Sequence, residues 1–206
     1  MRVIAGTFRS RPLRSLRGLD LRPTADRLRE TLFNVLTAGN PSALAGTVWL
    51  DLFAGTGAVG IEALSRGAAM VYFVESSAAA ADLIRSNLKS LGLTSGFEVL
   101  RHDVLRAVPR LAARGLQADF VFLDPPYRMQ EAYEQTLRLL AASLVAKARA
   151  VIVAEHQEKF DPGENCGRLH RYRTLKQGDA TLSFYQAQDG DGTAHPRGTG
   201  GAWKGA

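Results

Sequence analysis

The feature that most restricts the fold of this chain is a glycine-rich turn at residues 51–60, where the sequence reads DLFAGTGAVG. The apolar run before it predicts a strand over residues 48–53, and the pattern after it predicts a helix over residues 58–65. A buried strand that passes through such a turn into a helix is typical of a doubly wound α/β sheet. Because glycine lets a ligand approach the backbone closely, the turn also predicts a binding site.

Further strands and helices alternate along the chain. The sequence predicts strands over residues 70–75, 97–101, 119–123 and 150–154, and helices over residues 78–91, 105–114 and 130–144. Such alternation, with right-handed crossovers, produces a mainly parallel α/β sheet of the Rossmann-like type. Two final strands, over residues 168–176 and 180–186, follow each other across a turn and predict a C-terminal antiparallel hairpin.

The first 40 residues predict a basic arm and one helix. Gly6 and Pro12 interrupt short apolar stretches, which favours a β-hairpin-like arm outside the core, and an amphipathic pattern from Thr24 to Gly39 predicts the helix. Residues 1–30 contain eight arginines and three acidic residues, so most of the net charge of +6 lies there. Arginine binds phosphate well through its fork of donors, although a solvated arm without a partner is the alternative. The candidate nucleic-acid-binding residues are Arg9, Arg11, Arg14, Arg22, Arg27 and Arg29.

With 206 residues, the chain suits one principal domain, which we place at residues 41–188, after the arm and helix of residues 1–40. Residues 189–206 are rich in glycine and polar residues and predict a disordered tail. The single cysteine, Cys166, excludes an internal disulfide and a cysteine-rich zinc site, and we expect no metal. No apolar run has signal-peptide or membrane-spanning length, so we expect a cytoplasmic monomer without a membrane partner.

Three glycines of the turn, Gly55, Gly57 and Gly60, satisfy the G-x-G-x-x-G pattern of dinucleotide-binding enzymes. Glu75 follows Gly57 by 18 residues and ends a predicted strand, which suits a carboxylate that binds ribose hydroxyls. Asp51 favours S-adenosylmethionine, because its carboxylate would attract the cationic amino group of that cofactor and repel the pyrophosphate of a dinucleotide. A carboxylate that only caps the turn is the alternative for Asp51.

Asp103 follows the third predicted strand, at the end of the sheet where ligands bind. Its carboxylate could accept a hydrogen bond from an adenine amino group. It could equally cap the helix that begins near Val104, and one side chain could do both.

The tetrapeptide Asp124-Pro125-Pro126-Tyr127 directly follows an apolar strand and therefore faces the same crevice. The prolines leave carbonyl groups outside secondary structure, where they can point at a ligand, and Tyr127 offers a face on which a base can stack. The lone pair of an exocyclic base amine is delocalised into its ring. Two acceptors, the Asp124 carboxylate and a prolyl carbonyl, could turn that lone pair toward a methyl donor. Alignment would then supply most of the catalysis, with Asp124 as the proton acceptor.

The tetrapeptide resembles the N/D-P-P-Y/F motif of amino-group methyltransferases. With residues 22–34, which read RPTADRLRETLFN, and residues 51–60, the chain resembles the bacterial ribosomal RNA small-subunit methyltransferase D family over residues 2–186. The resemblance implies a Rossmann-like class I methyltransferase fold, S-adenosylmethionine as cofactor, and methylation of guanine N2 at position 966 of 16S ribosomal RNA. The partner would be the small ribosomal subunit or its assembly intermediate.

The resemblance also assigns roles to individual residues. Cofactor binding falls on Asp51, Phe53, Gly55, Gly57, Glu75 and Asp103, and catalysis at the target base falls on Asp124, Pro125, Pro126 and Tyr127. The segment 22–34 would border the active site and the RNA.

Other functions stay open. A DNA adenine or cytosine amino-methyltransferase could share the tetrapeptide, but such enzymes generally need an added target-recognition region. A methyltransferase for protein or small-molecule amines leaves the basic arm unexplained. An NAD-binding oxidoreductase fits the glycines but gives the tetrapeptide no role, and a catalytically silent RNA-binding module would use the basic face alone.

Overall fold

The computed structural model describes residues 1–15 and 23–188. Its helices are α1 (Pro23–Leu36), α2 (Ala58–Ser65), α3 (Ala78–Ser90), α4 (Val104–Ala113) and α5 (Gln130–Ala142). Its strands are β1 (Val48–Leu52), β2 (Met70–Val74), β3 (Phe97–Leu100), β4 (Ala118–Leu123), β5 (Ala146–Gln157), β6 (Asn165–Cys166), β7 (Leu169–Gln177) and β8 (Ala180–Ala187). Within this described part, every helix is too short or too polar to cross a membrane.

The strands of the described chain form one sheet, in the order β3-β2-β1-β4-β5-β8-β7-β6. The first five strands in that order run parallel, and β8, β7 and β6 continue the sheet as antiparallel neighbours. The chain order reverses between β1 and β4, and a doubly wound sheet binds its ligands at the carboxyl ends of such strands. The predicted α/β fold, a mainly parallel sheet with a C-terminal antiparallel hairpin, is therefore confirmed.

Helices cover both faces of the sheet and divide the hydrophobic core into two layers. In one layer the ring of Trp49 on β1 stacks between Phe33 of α1 and Phe120 of β4, at centroid distances of 5.4 and 4.8 Å. The other layer contains apolar side chains of α4 and α5, including Leu111 and Leu137. Because both layers are closely packed, the strand ends that face the crevice have fixed positions.

The N-terminal arm is part of the core, contrary to the expectation that it lies outside. An antiparallel bridge between Arg2 and Pro12 gives the arm its predicted hairpin-like shape. Val3 and Leu13, however, are only 1% and 6% exposed and pack in the same layer as Trp49. The arm therefore contributes apolar contacts to the domain as well as positive charge.

Glu62 of α2 explains how the arm docks. Its fully buried carboxylate accepts hydrogen bonds from the backbone amides of Ile4 and Ala5 at 2.7 and 2.9 Å. The same carboxylate accepts from Arg66 Nε at 2.8 Å. A buried charge is costly unless it is paired and hydrogen-bonded, so the arm and α2 stabilise each other.

Element boundaries agree with the sequence prediction within three residues except at β5, which spans Ala146–Gln157 rather than residues 150–154. Exposed residues at 147–149 break the apolar pattern at the start of β5, and its pairing with β4 shifts register there. The two-residue strand β6 is too short for a periodic pattern and was missed. The predicted tail at residues 189–206 and Arg22 lie outside the described residues.

Candidate active site

A cavity of about 900 Å³ opens at the carboxyl ends of the parallel strands and is bounded by the arm, α1 and the loops after β1, β2 and β4. Acidic groups outnumber basic groups on its wall. The acidic groups are Asp26, Asp51, Glu75, Asp103, Asp124 and Glu155, and the basic groups are Arg2 and Arg29. Met1 also lines the cavity, and its Sδ accepts a hydrogen bond from Thr56 Oγ1 at 3.6 Å. This excess of carboxyl groups favours a cationic ligand.

Asp51 is the penultimate residue of β1 and lies in the interior, with 2% of its surface exposed. Its Oδ2 accepts a hydrogen bond from the Gly60 amide in the first turn of α2 at 2.9 Å. The N-cap of that helix, Gly57, has no side chain and adopts a left-handed φ of 75°, so Asp51 supplies the acceptor that the cap cannot. Burial raises the pKa of Asp51 to about 8, the nearby charge of Glu75 adds to the rise, and the Gly60 hydrogen bond opposes it.

Glu75 follows β2 and also binds backbone amides. Its Oε2 accepts from Gly55 N–H at 2.9 Å and its Oε1 accepts from Ser77 N–H at 2.7 Å. Together with Asp51, this carboxylate occupies amides at the turn and at the start of α2. The pyrophosphate of a dinucleotide would need such amides as hydrogen-bond donors, so the local arrangement disfavours the hypothesis of an NAD-binding oxidoreductase.

Packing explains two of the three turn glycines. A Cβ added to Gly60 would lie 2.3 Å from the Phe73 ring, and one added to Gly57 would lie 3.1 Å from the Ile84 side chain. Neither glycine lines the cavity, whereas Gly55 and Phe53 do. The G-x-G-x-x-G pattern in this chain therefore reflects helix–sheet packing at its second and third positions.

Asp103 lies at the N-cap of α4, where its Oδ1 accepts from the Leu105 amide at 2.8 Å. The same side chain is exposed and lines the cavity. The structure thus shows the capping role and leaves the outer oxygen accessible from the cavity.

The tetrapeptide directly follows β4 and lies next to the turn after β1, because the Asp124 amide donates to Leu52 O at 3.4 Å. Asp124, Pro126 and Tyr127 line the wall, while Pro125 is buried behind them. Burial raises the pKa of Asp124 well above its ordinary range, and the negative charges of Glu155 and Asp51 add to the rise. A carboxyl group with such a pKa is a better proton acceptor near neutral pH than an ordinary aspartate.

Both prolyl carbonyls accept hydrogen bonds from the protein, although we expected them to be available to a ligand. Pro125 O accepts from the Tyr133 hydroxyl at 3.2 Å, and Pro126 O accepts from the Met129 amide at 2.7 Å. The Tyr133 hydroxyl also lies 2.9 Å from Glu155 O. A carbonyl oxygen has two lone pairs, so each of these oxygens keeps the capacity to accept a second donor.

Comparison with known proteins places the chain in a family. Residues 1–186 match the family model described as Conserved hypothetical protein 95. Ribosomal RNA small subunit methyltransferase D of Escherichia coli is 36% identical over 190 residues, which cover 91% of this chain and 90% of that protein. The Haemophilus influenzae protein of the same name is 38% identical over 159 residues, covering 77% and 79%. The chain belongs to the ribosomal RNA small subunit methyltransferase D family.

Solved structures agree with the family assignment. The yhhF protein of Escherichia coli has a TM-score of 0.75 and 31% identity and covers 92% of this methyltransferase D family chain and 98% of its own. The protein SMU.776, solved in complex with SAH, has a TM-score of 0.61 at 15% identity and covers 78% and 48%, which shows the fold alone. The fold is that of the class I methyltransferases, as predicted.

Glu155 is the site residue that the sequence reading missed in this family member. It lies near the end of β5, beside the strand β4 that Asp124 directly follows, and its side chain lines the cavity. The Tyr127 hydroxyl donates a hydrogen bond to its carboxylate. Burial raises the pKa of Glu155 to about 7, while the Tyr127 hydrogen bond and the charge of Arg29 oppose the rise. Its place at the carboxyl end of a parallel strand was the available signal.

Arg29 occupies a different environment from the exposed one that we expected. It is 5% exposed, and its Nη2 donates to Arg2 O and to Asp26 Oδ1, the latter at 3.1 Å. It faces the cavity from inside the methyltransferase D fold, where it joins α1 to the arm. This placement favours a positioning role over a contact with RNA phosphates.

The other basic candidates are on the surface. Arg9 and Arg27 are exposed. Arg11 Nη2 donates to Ser90 O at 2.9 Å and Arg14 Nη1 donates to Ser86 Oγ at 3.3 Å, so both lean on α3 while they face solvent. Their contact with RNA stays a prediction, as does that of Arg22.

Proposed function

We propose that this chain transfers a methyl group from S-adenosylmethionine to the exocyclic N2 of a guanine in 16S ribosomal RNA, at position 966 by its family resemblance. The observation that carries the proposal is the position of Asp124 in one cavity with Asp51 and Glu75. Asp124, whose carboxylate suits a target amine, thus shares a cavity with Asp51 and Glu75, whose carboxylates suit a cationic cofactor.

The cavity fits this cofactor in charge and in donor set. Its acidic wall suits the sulfonium and ammonium groups. Asp51 and the Gly55 turn would hold the amino acid part, Glu75 the ribose and Asp103 the adenine. The bound cofactor would supply an electrophilic methyl group on sulfur. Membership of a family whose relatives are named ribosomal RNA methyltransferases supports the same conclusion.

The chain's own residues would prepare the amine. Asp124 and the second lone pair of Pro125 O can accept the two amine protons, which turns the nitrogen lone pair toward the methyl carbon. Tyr127 provides a face for the base. The nitrogen forms its bond to carbon as the carbon–sulfur bond breaks, and the proton that the nitrogen then loses passes to Asp124, whose raised pKa suits this step.

The substrate would be unpaired RNA in the small ribosomal subunit or its assembly intermediate, because a base within a duplex cannot reach the cavity without flipping. The exposed arginines of the arm would bind its phosphates. We also propose that the protein acts on this RNA in the cytoplasm as a monomer.

Methyl transfer to small ribosomal subunits that lack native methylation tests the proposal. Labelled S-adenosylmethionine is supplied to wild-type protein, Asp124→Ala and the control Asp82→Ala, whose carboxylate is exposed on α3. We expect label on guanine N2 at one site with the wild type and the control, and a loss of at least about 100-fold with Asp124→Ala. Label on duplex DNA in preference to subunits, or none despite cofactor binding, would contradict it.

A further inference from the structure

We propose that Glu155 selects guanine as the target base by accepting a hydrogen bond from its N1–H while Asp124 accepts from the neighbouring 2-amino group. The inference rests on the proposed function and deepens it, because the methyl-transfer chemistry alone would suit the amine of guanine, adenine or cytosine.

The register of two strands places these carboxyl groups side by side. Leu123, the last residue of β4, pairs with Ala154 of β5 in parallel register, so Asp124, which follows β4, and Glu155 on β5 come next along two neighbouring chain segments. Adjacent strands lie about 4.8 Å apart, and both side chains line the cavity. Two acceptors at this spacing can reach two adjacent donors on one edge of a base.

Tyr133 fixes the separation between the two acceptors. Its buried hydroxyl lies 3.2 Å from Pro125 O and 2.9 Å from Glu155 O, and so joins the backbone of the tetrapeptide to that of β5. Its ring packs against Phe160 at a centroid distance of 5.0 Å. The Tyr127 hydroxyl donates to the Glu155 carboxylate, and both residues line the cavity. A carboxylate has about four acceptor sites, so capacity for a base donor remains.

Base chemistry then separates guanine from its competitors. Guanine presents a ring donor, N1–H, directly beside its reactive 2-amino group. Adenine presents a ring acceptor, N1, beside its amine, and cytosine presents the acceptor N3 beside its amine. Above its pKa of about 7 Glu155 is ionised, so a ring acceptor opposite it would leave a largely buried carboxylate without that hydrogen bond, which is a strong basis for rejection.

The test replaces the target guanine by 2-aminopurine, which keeps the 2-amino group but has a lone pair at N1. Reconstituted small subunits carry either base at the target position. At a pH well above the Glu155 pKa of about 7, kcat/KM is measured for wild type, Glu155→Gln and the control Glu158→Gln, an exposed carboxylate paired with Lys176. The wild type and control are expected to prefer guanine roughly 10- to 100-fold. The glutamine variant can donate to N1 of 2-aminopurine, so its preference should fall to within about threefold of unity.

Each outcome has a distinct meaning. If the wild type methylates guanine and 2-aminopurine with equal kcat/KM, the role of Glu155 is overturned while the proposed function stands. An equal loss on both bases in Glu155→Gln would also overturn it, because that result indicates a structural role. Absence of transfer to guanine by the wild type would overturn the proposed function itself and this inference with it. Binding of S-adenosylmethionine by each variant, measured by calorimetry, verifies that the variants are folded.

Discussion

Single residues at the site combine structural and ligand-facing roles. Three carboxylates near strand ends each accept a hydrogen bond from a backbone amide and each line the cavity: those of Asp51, Glu75 and Asp103. A side chain held in this way keeps one orientation, so a ligand meets oxygen atoms whose positions are already set. The sequence offered capping and binding as alternatives for Asp51 and Asp103, and the geometry is compatible with both at once.

Tyr133→Phe tests how far catalysis depends on the hydroxyl that joins Pro125 to Glu155. Its removal deletes the one donor that the two carbonyls share, which should lower kcat about tenfold and leave the Kd for S-adenosylmethionine within about twofold. Unfolding free energy should fall by about 1 kcal/mol. Steady-state kinetics, calorimetry and denaturant titration measure the three quantities.

Tyr185→Phe is the matched control for that change. Tyr185 is equally buried and donates one hydrogen bond to Gly163 O at 2.7 Å, away from the cavity wall. Stability should decrease similarly while kcat stays unchanged. An equal fall of kcat in both variants would assign the Tyr133 effect to general loosening rather than to position.

Two residues mark where local sequence was insufficient. Arg29 and Glu155 become significant only through partners far along the chain, since Arg29 meets Arg2 and the Tyr127 hydroxyl reaches Glu155. The apolar pattern of a single helix or strand does not indicate such contacts between residues far apart in the sequence. The residues of the tetrapeptide and of the glycine turn were predictable because chain order alone brings strand ends to one edge.

Among elements, the arm shows the same limit. Strands and helices of the sheet were predicted closely because periodic apolar residues and glycine boundaries are local signals. Val3 and Leu13 are isolated apolar residues. Their burial depends on Glu62 of α2, whose carboxylate accepts hydrogen bonds from backbone amides of the arm. Docking of a short segment onto a helix has no periodicity to reveal it.

The docked arm leads to a prediction for RNA binding. Replacing Arg9, Arg11 and Arg14 by alanine should weaken binding of ribosomal RNA and reduce the slope of log affinity against log salt by about 2, if each contacts one phosphate. Filter binding or fluorescence anisotropy across a salt series measures that slope. The control replaces Arg106, Arg138 and Arg149, which are exposed on α4, α5 and β5. An identical slope change in both triple variants would attribute the effect to net charge alone.

Across the whole molecule, the carboxyl-rich cavity links stability to pH. Burial raises the pKa of Asp51 to about 8 and of Glu155 to about 7, and it raises that of Asp124 as well. Unfolded carboxyl groups titrate near about 4, so the stabilisation is complete below that pH and is lost as the pH rises through the folded pKa values. The protein without cofactor should therefore lose stability between about pH 6 and pH 8.

Thermal melting across this pH range measures the effect. Each group contributes at most about 1.4 kcal/mol per pH unit, which corresponds to a Tm decrease of a few degrees. Burial lowers the pKa of His156, so this group makes stability rise with pH, but only near and below the lower end of the range of the test. Asp51→Asn should flatten the profile, and saturating S-adenosylmethionine should do so too, because a cation favours the ionised groups. A Tm that rises toward pH 8 in the protein without cofactor would refute the prediction.

The first residue of the chain lies at the cavity wall, where Met1 Sδ accepts a hydrogen bond from Thr56. Any peptide fused ahead of Met1, such as an affinity tag for purification, would thus emerge at the cavity wall. Recombinant material for kinetic work should therefore have such a tag removed without residual residues, since a leftover scar of a few amino acids would compete for the same space.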